Sequence, residues 1–122
     1  MTAPSLVTIG GSPVVVVPTD GPVFATTTDA TEVIGDAFAH EAQTIVIPVE
    51  RLPDEFFELR SGYAGEVTQK FANYRLRLAI VGDVAERVAE SESLTAWVAE
   101  SNRGTQLWFA PTFAEITERL EA

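Results

Sequence analysis

Cysteine is absent from this 122-residue chain, and histidine occurs once. Thiolate zinc sites, iron–sulfur clusters, disulfide frameworks and cysteine nucleophiles are therefore excluded, and the lone His40 cannot supply a site with several histidine ligands. Basic residues are also scarce, with 8 Lys and Arg against 18 Asp and Glu, so the formal net charge is −10. A chain of this charge repels phosphate backbones, and we expect no nucleic-acid partner.

Long apolar runs are missing as well. The longest one, residues 13–18 with four valines between two prolines, is far shorter than the ~20 residues that cross a bilayer. The N-terminal segment has no signal-peptide features. We therefore expect a cytoplasmic protein that does not bind membranes. The motifs G-x-G-x-x-G, G-x-x-x-x-G-K-[ST] and G-x-S-x-G do not occur. We predict no cofactor and no metal site.

Buried strands alternate with amphipathic helices along the chain. Continuous apolar runs such as Val14–Val17 and Thr44–Pro48 predict strands covered on both faces. The predicted order is β-β-α-β-α-β-α-β-α, in which the first two strands form a hairpin. Helix starts are expected at Thr28 or Asp29, near Ser61, at Ser91 or Ser93, and at Thr112. The predicted fold class is α/β, a mainly parallel sheet with helices packed on it, in a single domain over 1–122.

The basic residues are concentrated between Arg51 and Arg77. Five of the eight lie in this window with only four acids, so the window has a net charge of +1 and the remainder has −11. Five of the aromatic residues also fall there: Phe56, Phe57, Tyr63, Phe71 and Tyr74. We expect any functional site to lie in this window.

Three patterns in the window favour an anion site. Ser61 and Gly62 start a predicted helix, where free N–H groups and the helix dipole attract anions. Arg75 and Arg77, two apart on a predicted strand, are expected on one face of the sheet, where they can hold a carboxylate or phosphate. Helical spacing puts Gly62, Glu66, Gln69 and Asn73 along one side of the helix. The predicted ligand-binding residues are Ser61, Gly62, Gly65, Gln69, Lys70, Asn73, Arg75 and Arg77.

Each pattern also has a purely structural interpretation. Ser61 with its glycines is typical of a helix cap, and Glu66 with Lys70 is typical of a solvated surface pair. The strand arginines are compatible with an ordinary surface. The aromatic residues Phe56, Phe57, Tyr63 and Phe71 are compatible with a core.

The same window carries a family resemblance. The runs Phe56–Leu59, Ser61–Glu66, Gln69–Phe71, Asn73–Arg75 and Leu78–Asp83 resemble the bacterial domain-of-unknown-function family DUF4180, and Glu100-Ser101-Asn102 before Gly104 is similar to that family's pattern. The resemblance covers nearly the whole chain. It implies a small stand-alone bacterial protein and implies no established activity and no catalytic residue.

The order of elements is similar to that of the STAS fold of anti-sigma factor antagonists and related regulatory domains. In those domains a phosphorylatable Ser or Thr stands at the start of the second helix, and Ser61 has a comparable position here. Arg60 precedes it where those proteins have an acid. The resemblance implies a single STAS-like domain with a regulatory role.

Our first hypothesis is a binding module that recognises a partner protein or a small anionic ligand. Phosphorylation of Ser61 would add up to about two negative charges at a helix start, beside arginines able to receive them. A second hypothesis is a homodimer, in which exposed Phe56 and Phe57 serve as anchors of the interface.

The third hypothesis is a small cofactor-independent enzyme. Glu66 would be its general acid or base, with a pKa tuned by burial near Tyr63 and Phe71. Developing negative charge would be stabilised by Tyr74, Arg75 or Arg77. The predicted catalytic residues are therefore Glu66 and Tyr74.

Overall fold

A computed structural model describes residues 4–122, so the first three residues of the N-terminal segment, where we find no targeting signal, lie outside the described residues. The strands are β1 (Ser5–Ile9), β2 (Ser12–Val16), β3 (Thr44–Pro48), β4 (Arg77–Val81) and β5 (Leu107–Ala110). The α-helices are α1 (Thr27–Ala39), α2 (Tyr63–Asn73), α3 (Ala85–Ala89), α4 (Glu92–Arg103) and α5 (Phe113–Glu121). Three short 3-10 turns lie between β3 and α2, at Val49–Arg51, Asp54–Phe57 and Leu59–Ser61.

The five strands form one sheet whose spatial order follows the chain, β1-β2-β3-β4-β5. β1 pairs antiparallel with β2 through the Gly10-Gly11 turn, and β2 to β5 are parallel. The predicted hairpin, the α/β class and the mainly parallel sheet are confirmed. The predicted element order is also confirmed, with both α3 and α4 in the connection from β4 to β5.

Helices cover the two faces of the sheet unequally. Because each crossover joins neighbouring parallel strands with the same hand, α1, α2 and α4 lie on one face. Their core includes the fully buried Phe56, Phe71, Ile45, Leu78 and Leu94. α5 packs on the other face over Val46, Ala79 and Trp108. It ends beside the β1–β2 turn, where a Cβ on Gly10 would stand 2.7 Å from the Leu120 carbonyl oxygen.

Two helix starts agree with prediction and one does not. The Ser91 hydroxyl accepts from the Leu94 N–H at 3.1 Å, and the Thr112 hydroxyl accepts from the Glu115 N–H at 3.3 Å. α1 instead begins after Thr26, because the carboxylate of Asp29, in the first turn, accepts from the Thr26 N–H at 3.2 Å.

Two apolar residues lie outside the core. Pro53 precedes the 3-10 turn Asp54–Phe57. Phe38, in the last turn of α1, is 53% exposed and packs edge-on against Tyr74, with ring centroids 5.4 Å apart. Within residues 4–122 no helix is long and apolar enough to span a membrane.

Candidate functional site

The predicted site residues lie at opposite edges of the sheet. Ser61 and Gly62 follow the carboxyl end of β3, whereas Arg75 and Arg77 stand at the amino end of β4. α2 connects the two edges, and its eleven residues span about 16 Å. The helix start and the arginine pair therefore do not form one site. The residues of the window therefore lie at two edges of the sheet. We call them the carboxyl edge, where the parallel strands end, and the amino edge, where they begin.

The carboxyl edge contains a cavity of about 1040 Å³. Two parts of the chain form its walls, the turns after β3 and the α3–α4 segment after β4. Open α/β sheets bind their ligands outside the carboxyl ends of parallel strands, because the connections diverge there. The lining residues are Asp54, Phe57, Glu58, Leu59, Arg60, Ser61, Glu86, Arg87, Glu90, Ser91 and Ser93. We call this space the carboxyl-edge cavity.

Ser61 is exposed at this cavity and is tied to its local backbone. Its hydroxyl donates to the Glu55 carbonyl oxygen at 2.8 Å and accepts from the Tyr63 N–H at 3.2 Å. Gly62 follows with a φ of 78°, a left-handed conformation that turns the chain from the 3-10 turn into α2. The Ser61 hydroxyl thus stabilises the turn before α2, and the N-cap of this helix is Gly62 rather than Ser61.

The two arginines of the cavity differ in their partners. Arg87 links the walls, since its Nη2 lies 2.7 Å from Asp54 Oδ1 and its Cζ lies 4.5 Å from the Phe57 ring centroid. Arg60 is exposed and makes no ion pair with any residue in the range 4–122. Four carboxylates and two guanidinium groups line the cavity. The cavity as a whole is therefore acidic and polar.

The amino edge contains a smaller pocket of about 240 Å³. Its lining residues are Gln43, Arg75, Leu76, Arg77, Thr105 and Gln106. We call it the amino-edge pocket. The expectation that Arg75 and Arg77 share a strand face is wrong, because Arg75 precedes β4 and has a φ of 59°. Both arginines nevertheless line the amino-edge pocket.

Arg77 is held in a stack that sequence analysis did not predict. Its Cζ lies 4.4 Å from the Trp108 ring centroid, and the Cζ of Arg119 lies 4.0 Å from the same centroid. These side chains also donate to three carbonyl oxygens at the end of α4 and in the turn that follows it. Arg77 donates to Thr105, Trp108 to Gly104 and Arg119 to Asn102. Burial, and then the nearby charge of Arg119, lower the pKa of Arg77.

Arg51 has a structural role within the fold. Its guanidinium donates to the carbonyl oxygens of Pro22 at 2.7 Å, Pro18 at 2.9 Å and Asp20 at 3.1 Å. Its Cζ also lies 5.3 Å from the Phe24 ring centroid. One side chain therefore organises the whole connection between β2 and α1.

The remaining predicted residues lie on the outer side of α2. Glu66 is exposed, contrary to the burial that the enzyme hypothesis expects. Across residues 4–122 it forms no ion pair with Lys70. Gln69 donates to Asn73 Oδ1 at 2.8 Å, which agrees with their predicted common side. Gly65 is exposed and Tyr74 is 47% exposed. None of these six residues lines the carboxyl-edge cavity or the amino-edge pocket.

The aromatic residues of the window belong mostly to the core. Phe56 is completely buried and Phe57 is 7% exposed. The expectation that both side chains are exposed and anchor a homodimer interface is therefore wrong. Tyr63 is half-buried, and its hydroxyl donates to the carbonyl oxygen of Phe24. Burial, and then the charges of Asp29 and Glu55, raise the pKa of Tyr63.

The family model described as "Domain of unknown function (DUF4180)" matches residues 9–120. The chain belongs to the DUF4180 family. The predicted family is therefore confirmed, and the matched span includes both the carboxyl-edge cavity and the amino-edge pocket of this DUF4180 protein. No curated protein and no solved structure matches the chain.

Sequence reasoning missed three residues of this DUF4180 chain that organise the amino edge. No sequence motif includes Trp108, and Arg119 lies outside the window between Arg51 and Arg77. Asn102 accepts the Phe109 N–H through Oδ1 at 2.7 Å and so joins α4 to β5. The family resemblance at Glu100-Ser101-Asn102 was the one pattern that drew attention to this turn.

Proposed function

We propose that this DUF4180 protein is a regulatory binding module and that its carboxyl-edge cavity takes a basic segment of a partner protein. The observation that carries the proposal is a large polar cavity at the carboxyl ends of neighbouring parallel strands. Its volume of about 1040 Å³ is at the upper end of the range for small-molecule pockets. A length of polypeptide fits such a space better than a small metabolite.

The charge of the cavity supports a basic partner. Carboxylates outnumber guanidinium groups by four to two, and the chain as a whole carries −10. An acidic surface raises the association rate of a basic partner and disfavours acidic ones. Arg60, which has no ion-pair partner within residues 4–122, can pair with one acidic side chain or a carboxylate of the same segment.

Ser61 is the proposed control point of this module. Its hydroxyl is exposed at the cavity and stands just before α2. A phosphate there would be favoured by the helix start and by the adjacent Arg60. It would also pair with Arg60, the arginine of this cavity that makes no ion pair among residues 4–122, and would add negative charge to the surface that meets the partner. The likeness of the element order to regulatory STAS domains favours the same role for Ser61.

Fluorescence anisotropy with two labelled peptides of equal length, one rich in Lys and Arg and one rich in Glu, tests the proposal. We expect the basic peptide to bind and the acidic peptide not to bind. The double variant Glu86→Lys/Glu90→Lys should weaken binding by roughly tenfold or more. Glu118→Lys/Glu121→Lys on α5 makes the same change in net charge and should have a much smaller effect. Equal weakening by both double variants would contradict a site at the cavity.

The role of Ser61 has its own comparison. Ser61→Glu and Ser61→Ala both remove the hydroxyl, and only the first adds a charge. We expect their dissociation constants for the basic peptide to differ by roughly threefold or more. Equal constants would contradict the regulatory role and leave the binding site itself intact.

The enzyme hypothesis gains no support from the arrangement. Glu66 is exposed and lies outside the carboxyl-edge cavity, so it lacks the apolar surroundings that were expected to tune it. We therefore favour binding over catalysis.

A further inference from the structure

We infer a second ligand site in this protein: the amino-edge pocket binds a small oxyanion, a phosphate or carboxylate group, between Arg75 and Arg77. This site is independent of the carboxyl-edge cavity, from which α2 separates it. The pocket volume of about 240 Å³ suits one such group rather than a large ligand. Guanidinium groups hold planar or tetrahedral oxyanions through paired N–H donors.

The first argument is the composition of the pocket wall. Two of its six lining residues are arginines, two are glutamines, and none is acidic. The chain has 18 acidic residues against 8 basic ones, so a wall with arginines and no carboxylate departs from the rest of the molecule. Among residues 4–122, neither Arg75 nor Arg77 forms an ion pair. An incoming oxyanion would be their first negatively charged partner.

The second argument is the backbone of Arg75. Its φ of 59° lies in the left-handed region, which favours glycine and disfavours other residues. Its side chain is exposed and makes no hydrogen bond or ion pair with the described residues. This φ belongs to the turn that ends α2, where the Arg75 N–H donates to the Ala72 carbonyl oxygen and the Leu76 N–H donates to the Phe71 carbonyl oxygen, both at 2.9 Å. The turn leaves the Arg75 side chain exposed at the pocket, where an incoming oxyanion can reach it.

Arg77 is held in position by contacts within the protein. Its Nε donates to the Thr105 carbonyl oxygen at 2.7 Å, and its guanidinium lies against Trp108. The side chain is thus fixed in place while its terminal N–H groups have no acceptor among residues 4–122. Arg119 lies at the same indole ring, so two positive charges lie close together at this edge. Burial and the charge of Arg119 disfavour the charged form of Arg77 and lower its pKa, and the opposite charge of a bound anion would offset both effects.

The test is a titration followed by two-dimensional ¹H–¹⁵N NMR, with inorganic phosphate, acetate, and chloride at matched ionic strength. We expect phosphate or acetate to shift the amide signals of Arg77, Thr105 and Gln106 and the indole N–H signal of Trp108, with saturation. Chloride should not do so. Saturation by phosphate alone assigns the site to phosphate groups, and saturation by acetate assigns it to carboxylates.

Two variants separate binding from folding. Arg75→Gly removes the guanidinium and relaxes the backbone, so the affinity should fall roughly tenfold or more while the thermal unfolding midpoint stays the same or rises. Glu41→Gly is the matched control, because Glu41 is also exposed and has a φ of 57°. It should gain the same stability and keep the affinity or increase it.

Two results would overturn the inference. One is equal affinity of Arg75→Gly and the native chain for both oxyanions. The other is a set of shifts that grow without saturation and are as large at Arg60, on the opposite edge of the sheet, as in the pocket, which would show charge screening alone.

Discussion

The hydroxyl of Tyr63, in the first turn of α2, donates a hydrogen bond to the carbonyl oxygen of Phe24, which precedes α1. This contact joins the two helix starts across 39 residues of chain. Phe24 is itself held by its N–H, which donates to the Arg51 carbonyl oxygen at 2.7 Å. The Tyr63 side chain therefore ties the start of α2 to the segment that leads into α1.

The Tyr63 contact predicts a loss of stability in alkali. Because burial raises the pKa of Tyr63 in the folded protein, the unfolded chain loses this proton first, at about pH 10. The stabilisation is complete below that value and falls as the pH rises through the folded pKa. Tyr63→Phe should lower the free energy of unfolding by about 1 kcal/mol at neutral pH. Between about pH 9 and about pH 11 the stability of this variant should fall less steeply than that of the native chain, as measured by urea unfolding.

A second measurement isolates this tyrosine. The chain has two tyrosines, so Tyr74→Phe leaves Tyr63 alone for an ultraviolet absorbance titration. The midpoint should lie above the ordinary value of about 10. A midpoint at or below that value would contradict the buried hydrogen bond.

Arg51 is predicted to stabilise the fold rather than bind a ligand. Arg51→Lys cannot reproduce three hydrogen bonds to the carbonyl oxygens of the β2–α1 connection, because an ammonium lacks the planar arrangement of donors. We expect a loss of about 2 kcal/mol in the free energy of unfolding. Arg60→Lys, at an exposed position, should change stability by less than about 0.5 kcal/mol. Similar losses in the two variants would refute this assignment.

The turn into α2 predicts opposite effects for two neighbouring glycines. Gly62 has a φ of 78°, and an added Cβ would meet nothing within 4 Å, so Gly62→Ala should cost about 1 kcal/mol through backbone conformation alone. Gly65 lies within α2 and also has open space around it. Gly65→Ala should therefore stabilise the protein by about 0.5–1 kcal/mol. Chemical denaturation of both variants checks the sign, and effects of the same sign would be inconsistent with this turn.

Asn102 is predicted to hold the end of α4 against β5. Its side-chain oxygen accepts the Phe109 N–H at 2.7 Å, and Phe109 is buried. Asn102→Ala leaves this donor without a partner, which should cost about 1–3 kcal/mol. Ser101→Ala is the neighbouring control and should have little effect. Faster amide hydrogen exchange at Phe109 in Asn102→Ala would locate the loss, and unchanged exchange would contradict it.

The fold was predictable because its elements carry strong local patterns. Thr44–Pro48 is buried at all five positions, as its continuous apolar run predicts, and Ser91 and Thr112 cap the helices for which they were proposed. The family was also predictable, because the motif around Ser61–Glu66 is distinctive.

The candidate site was harder to predict, because residue spacing indicates which side chains share a face only within one helix or strand. Arg75 is two residues from Arg77, but a left-handed backbone at Arg75 places it outside β4. Ser61 and Arg77 are close in sequence, yet α2 carries the chain to the opposite edge of the sheet between them. The stack at Trp108 joins residues from three elements, and no local pattern contains it.

The most direct test of the proposed function is an NMR map of the basic peptide on the ¹⁵N-labelled protein. We expect saturable shifts of amide signals around the carboxyl-edge cavity, at Ser61, Glu86, Arg87 and Ser93. These shifts should be lost in the double variant Glu86→Lys/Glu90→Lys. Saturable shifts confined to the amino edge or to α5, with the cavity signals unmoved, would contradict it.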